Sequence, residues 1–192
     1  GNPDLLRSCG KPMPGVELRI VGDEGEDQPD GEVGEVWIRS RQNMAGYWRK
    51  PDETAATKTE DGWVRTGDAG FMKDGYLYLY DRVKDMIVSG GENVYPAEVE
   101  NVLMMHPQVA DVAVIGVPDE RWGETVKAMV VPAGDPPSPE ELIAYTKEQL
   151  ARFKCPTSVD FVEALPRNPS GKILKRELRE PFWAGRDRRI GG

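Results

Sequence analysis

A single lysine closes the run Pro166-Arg167-Asn168-Pro169-Ser170-Gly171-Lys172, whose Pro and Gly punctuation predicts a loop with an ammonium at its tip. A positioned ammonium in a water-excluded site stabilises negative charge as it develops, as at a phosphorus under attack. Upstream come Thr66-Gly67-Asp68, then Asp81-Arg82-Val83-Lys84-Asp85, then Ser89-Gly90-Gly91-Glu92-Asn93-Val94-Tyr95-Pro96. A carboxylate such as Asp68 can accept hydrogen bonds from two vicinal hydroxyls at once and so orient a diol. The paired glycines permit positive φ and leave backbone bare where a narrow ligand must approach. Taken singly, each run has a plain structural reading. Ser-Gly-Lys is commonly an exposed loop lysine, Thr-Gly-Asp a turn after a strand, Arg82 a surface arginine, and Ser-Gly-Gly a tight turn.

Composition narrows the class. Charged residues at 30% and hydrophobic ones at 39% suit a globular chain rather than a disordered one. No apolar run approaches the roughly 18 to 20 residues of a membrane span, and Gly1 onward has no basic start followed by an apolar stretch, so no signal peptide is expected. The net charge of -8 disfavours a nucleic-acid partner. Lys172, Lys175, Arg176 and Arg179 form a local basic group that suits a phosphorylated ligand or a solvated helix face, whereas Arg186, Arg188 and Arg189 read as a solvated tail. Cys9 and Cys155 are unclustered and lack zinc spacing, so no metal site is expected and a reducing, cytoplasmic setting fits. His106, the sole histidine, precedes Pro107 after a helical pattern and reads as a helix-end residue rather than a general base. Trp37, Trp63 and Trp122 are assigned to packing.

The elements that must position these residues follow from periodicity. Val16 to Val21 and Gly34 to Arg39 alternate as antiparallel strands around an acidic turn-forming loop. A short helix is expected over residues 51–57, begun by Pro51, and an aromatic strand over 76–80 after the Asp74-Gly75 turn. Beyond Asp81 the pattern becomes mixed. It predicts a strand at 86–88, a helix over 96–105, strands at 109–117 and 125–131, and a linker over 132–139. A helix capped by Ser138, with Glu141 at the capping-box position, then runs through Leu150, followed by a strand at 159–162 and a helix over 175–183.

The four runs, in this order, resemble the C-terminal portion of an acyl-CoA synthetase of the adenylate-forming superfamily, most of all a bacterial fatty-acyl-CoA ligase. The likeness covers nearly all of residues 3–182, and it implies an α+β fold with two parts. Residues 1–80 would be a small antiparallel β-barrel-like subdomain ending the large N-terminal domain, and residues 81–192 the mobile C-terminal domain. The family's upstream phosphate loop and its Tyr-Gly-x-Thr-Glu segment do not occur, so the chain is expected to be a fragment of about the last third, inactive alone. The implied reaction activates a carboxylic acid, most of all a fatty acid, with ATP to an acyl-adenylate and then passes the acyl group to CoA. Magnesium would be held in the missing part. Carried over residue by residue, Lys172 is the adenylation lysine, Asp68 and Arg82 hold the ribose, Lys84 is the hinge between the two half-reactions, and Gly90 and Gly91 face the pantetheine of CoA. Asp81 stands where the family more usually has glycine.

Val88 stands where luciferases carry lysine, which disfavours light-emitting chemistry. An adenylation domain loading a carrier protein is the nearer alternative, and the absence of a carrier serine motif after Trp183 favours CoA. A stand-alone, non-catalytic binding module is the alternative from another class. Intact Lys172, Asp68 and Arg82 argue against it.

Overall fold

The alternating residues of β1 (Val16–Val21) and β2 (Gly34–Ser40) pair antiparallel, with Val16 opposite Ser40 and Val21 opposite Glu35. The computed structural model describes residues 3–186. They fall into two compact units, one ending at Val83 and one beginning at Lys84. Arg188 and Arg189 lie outside the described residues.

In the first unit β1 and β2 continue into β3 (Val64–Lys73) and β4 (Tyr76–Arg82), giving an antiparallel meander of order β1-β2-β3-β4. The β3–β4 turn is Asp74-Gly75, both at positive φ (53° and 77°), as a two-residue hairpin of matching twist requires. One face carries a cross-strand row, Arg19 opposite Trp37 opposite Arg65, with both guanidinium groups over the indole at 5.8 and 5.0 Å. Trp63 is buried beneath Arg39, whose guanidinium sits 4.5 Å from its ring centroid, so Trp37 and Trp63 pack as expected. The helix begun by Pro51 forms as α1 (Pro51–Thr57).

The second unit is built on the hairpin of β7 (Val109–Asp119) and β8 (Gly123–Pro132), which runs further into its turn than the apolar runs suggest. β5 (Ile87–Ser89) pairs with the start of β8 and with β6 (Glu92–Val94), and β9 (Ser158–Phe161) runs parallel to the middle of β8. Both faces of the sheet are covered. Val112, Val114, Val126 and Val130 pack with Val99 and Leu103 of α2 (Pro96–Leu103) and Leu142 of α3 (Pro139–Lys147). Ala113, Ile115, Val117 and Met129 meet Leu178 and Phe182 of α4 (Lys175–Trp183). The fold is α+β.

Three expectations need correction. α2 stops at Leu103 rather than Met105, because Pro107 disfavours helical backbone at His106 and the chain tightens there, His106 N–H donating to the Leu103 carbonyl at 3.0 Å. α3 stops at Lys147 rather than Leu150, because the Thr146 carbonyl takes the N–H groups of both Gln149 and Leu150 in a closing turn. Thr66-Gly67-Asp68 lies inside a strand rather than in a turn. Trp122, in the β7–β8 turn, is 47% exposed and packs at the rim, its ring against Gly90. His106 is buried against Tyr145, with Nε2 3.9 Å from Glu141, and serves the packing between α2 and α3.

Ser138 Oγ accepts from the Glu141 N–H at 3.1 Å, the expected cap of α3. Ser138→Ala should cost about 1 kcal/mol. Leu142→Ala, at a fully buried side chain, should cost about 2–5 kcal/mol. Urea denaturation of the two variants should reproduce that order, and an equal loss would contradict the assigned core.

Candidate active site

Asp68 and Arg82 lie directly opposite one another on β3 and β4. Arg82 Nε is 3.2 Å from Asp68 Oδ1, an ion pair by distance, yet the angle makes no hydrogen bond and the buried Nε–H has no partner among the described residues. With Asp68 and Arg82 one-third and two-fifths exposed, the pair contributes at most about 1 kcal/mol to the fold. Its larger consequence is to leave a carboxylate and a guanidinium side by side at the strand edge with hydrogen-bonding capacity to spare.

A bulge aims this pair. Between the paired positions Glu35–Ala69 and Trp37–Arg65, β3 carries three residues where β2 carries one, and Gly67 takes φ 71° to fit them. Thr66 Oγ1 donates to the Val36 carbonyl at 2.7 Å and accepts from the Asp68 N–H at 3.1 Å. Glu35 accepts from the Gly67 N–H at 3.0 Å and, through its other oxygen, from the Trp37 indole at 2.8 Å. Glu35 escaped the sequence reading. Nothing in an alternating strand marks one glutamate as the brace of a bulge on the next strand.

Lys172, Lys84, Gly90 and Gly91 belong to the second unit. The loop before Lys172 is braced by Asn168, whose Oδ1 accepts from the Ser170 N–H (3.1 Å), the Ser170 hydroxyl (2.7 Å) and the Lys172 N–H (2.9 Å). Arg167 donates to the Gly171 carbonyl at 2.6 Å and pairs with Asp111 of β7, tying the loop to the sheet. Lys172 itself is exposed, and among the described residues its ammonium makes no hydrogen bond or ion pair. The backbone is therefore fixed while the charge stays available. Asn at this offset from Ser170 is a legible Asx-turn signal, though the sequence does not reveal that it also holds Lys172.

Lys84 occupies a 3-10 turn, Val83–Asp85, between β4 and β5. Its carbonyl accepts from Arg179 of α4 at 3.3 Å, and the same guanidinium is 3.1 Å from the nearly buried Asp85 carboxylate. Gly90 and Gly91 form the two-residue turn of the β5–β6 hairpin at φ 63° and 89°. A Cβ on Gly90 would meet the Trp122 ring at 2.6 Å, whereas one on Gly91 would meet nothing within 4 Å. Packing therefore demands glycine at 90, and only backbone conformation demands it at 91.

Residues 98–172 match the AMP-binding enzyme C-terminal domain, and residues 1–48 match AMP-binding enzyme. The chain belongs to the AMP-binding, adenylate-forming enzyme family. It is 51% identical over 188 residues to a fatty acid–[acyl-carrier-protein] ligase, ScoC, of Streptomyces coeruleorubidus, covering 97% of this chain and 36% of that protein. It is 48% identical over 185 residues to a long-chain-fatty-acid–CoA ligase of Mycobacterium tuberculosis, covering 94% and 36%. The ATP-bound crystal structure of MatB from Rhodopseudomonas palustris superposes with a TM-score of 0.85 at 37% identity, covering 92% and 36%. The chain thus spans about a third of the length of these relatives.

The two glycines can be told apart by substitution. Gly90→Ala should destabilise the protein clearly more than Gly91→Ala, for which the left-handed backbone alone costs about 1–2 kcal/mol. Trp122→Ala should narrow the difference. Melting curves of the four variants check this, and equal effects of Gly90→Ala with and without Trp122 would refute the contact.

Proposed function

We propose that this chain is the C-terminal part of an ATP-dependent acyl-CoA synthetase, residues 1–80 ending its large domain and residues 81–192 forming its mobile C-terminal domain. In the first half-reaction a substrate carboxylate oxygen attacks the α-phosphorus of ATP, and pyrophosphate leaves with the electron pair of the broken P–O bond. The Lys172 ammonium offsets the charge that gathers on the phosphoryl and acyl oxygens. Asp68 accepts from the ribose hydroxyls, and Arg82, whose side chain is two-fifths exposed, donates to the same nucleoside. In the second half-reaction a thiol sulfur attacks the acyl carbon and AMP departs. The second unit turns about Lys84 between the two steps, bringing the Gly90-Gly91 turn to the pantetheine arm of CoA.

The observation that carries this reading is the exposed Lys172 ammonium on a loop fixed by three bonds to Asn168. An ordinary surface lysine needs no such bracing. Support for the substrates comes from the ATP-bound relative and from the fatty-acid–CoA and fatty acid–carrier-protein ligases, so a fatty acid is the proposed acid and CoA the proposed acceptor. A carrier protein is the second acceptor to test, given the 51% identity to a ligase named for one. Among the described residues no group of three or more His, Cys, Asp or Glu is placed to hold a metal ion, and the magnesium proposed for the reaction would be held outside them. No helix among them is long and apolar enough to cross a membrane, and the cytoplasm, which supplies ATP and CoA, is the proposed setting.

In the intact synthetase, Lys172→Ala should lower acyl-adenylate formation roughly 100- to 1,000-fold while sparing thioester formation from preformed acyl-AMP. Pyrophosphate exchange and single-turnover thioester assays separate the steps. Equal loss of both in a folded variant would contradict the assignment. Running the second assay with CoA and with a phosphopantetheinylated carrier protein decides the acceptor.

A further inference from the structure

Helix α4 presents Lys175, Arg179 and Trp183 at four-residue spacing, hence along one face. Each reaches a different element. Lys175 Nζ is 2.8 Å from Glu100 of α2, and the Trp183 indole N–H donates to the Gly116 carbonyl of β7 at 3.0 Å. Between them Arg179 grips the start of the second unit, donating to the Lys84 carbonyl and pairing with Asp85. The Arg179 and Asp85 side chains are only 14% and 11% exposed, so loss of Arg179 leaves the Asp85 carboxylate buried without this cation. A planar guanidinium suits such a double grip, which an ammonium reproduces poorly.

The N-terminal end of the same helix closes the Lys172 loop. Leu174, which caps α4, donates its N–H to the Pro166 carbonyl at 2.8 Å, so Lys172 stands three residues before the first residue of the helix. One rigid element therefore carries the lysine at its tip and grips the hinge at its middle. The Gly90-Gly91 turn, by contrast, is reached from Lys84 through β5 without passing α4.

We propose that Arg179 is a positioning residue for adenylation, a latch holding the Lys84 carbonyl and Asp85 to α4. It confines backbone change at the hinge to the N-terminal side of Asp85, so that Lys172 turns as one body with the hinge. The inference rests on the reading of Lys84 as hinge and Lys172 as adenylation lysine. Loss of the latch spreads the rotation into Asp85 and Met86 and loosens Lys172, and it bears less on thioester formation.

The test compares Arg179→Ala, Arg179→Lys and Asp85→Asn in the intact synthetase. Limited trypsin digestion mapped by mass spectrometry reads the latch. Cleavage after Lys84 should rise at least tenfold in Arg179→Ala with cleavage after Arg82 unchanged. Pyrophosphate exchange should fall at least tenfold in kcat with KM for ATP within twofold. Thioester formation from acyl-AMP should stay within threefold, and Arg179→Lys should fall between. Unchanged cleavage after Lys84, or unchanged exchange despite faster cleavage, overturns the proposal. Should Arg179→Ala unfold, cleavage will also appear at the buried Lys127, and Asp85→Asn, which removes only a charge, then carries the test. Lys84→Pro in the same protein examines the hinge separately. If it leaves thioester formation at the unmutated rate, the hinge reading falls and the latch's role with it. If it blocks thioester formation while Arg179→Ala changes nothing, the latch alone falls.

Discussion

The second unit depends on one constraint, that the β7–β8 ladder is covered on both faces. Successive residues of β7 alternate between two cores, Val112 and Val114 toward α2 and α3, Ala113, Ile115 and Val117 toward α4. Near-continuous apolar strands of this kind cannot leave a face in water, so helices must close both sides. The hydrophobic effect thereby fixes where α4 lies. It also fixes the loop that leads into α4 and presents Lys172.

Charge then refines what burial roughs out. The Lys175–Glu100 pair is largely buried, and the same Glu100 oxygen accepts from the Val114 N–H at 2.7 Å. A buried ion pair gains little net stability against its desolvation, but it tolerates few alternative placements of the helix it anchors. With Arg179 and Trp183 on the same stripe, α4 is held in register along its length, which apolar contacts from Leu178 and Phe182 alone would leave free to slide. The first unit uses the same economy on a smaller scale. Glu35 and Thr66 fix a bulge whose only visible product is the placement of Asp68 beside Arg82.

A glycine can be demanded twice over. At Gly90 the hairpin needs positive φ and Trp122 needs the space, so glycine there is explained before any ligand is considered. Gly91 faces open space, so a role in meeting a ligand rests on backbone exposure alone.

Much of the fold was legible because local signals agreed with tertiary demand. Pro51 and Pro96 begin helices, Ser138 caps one, Asp74-Gly75 turns a hairpin, and the period-2 runs form strands. β3 was missed because Thr66-Gly67-Asp68-Ala69-Gly70 has the composition of a turn, and only pairing with β2 and β4 on either side holds it extended. Residue identity and order sufficed to mark Lys172, Asp68, Arg82 and Lys84 as chemically capable and to suggest the family. The sequence by itself thus determined which groups are present and which short elements bear them, because those follow from side-chain chemistry and nearest-neighbour backbone preference. The brace of Lys172 by Asn168 is local, four residues apart, but only the tertiary structure decided that Glu35 sets the bulge under Asp68 and that Arg179 grips Lys84, because each joins residues whose neighbourhood is created by packing rather than by spacing along the chain.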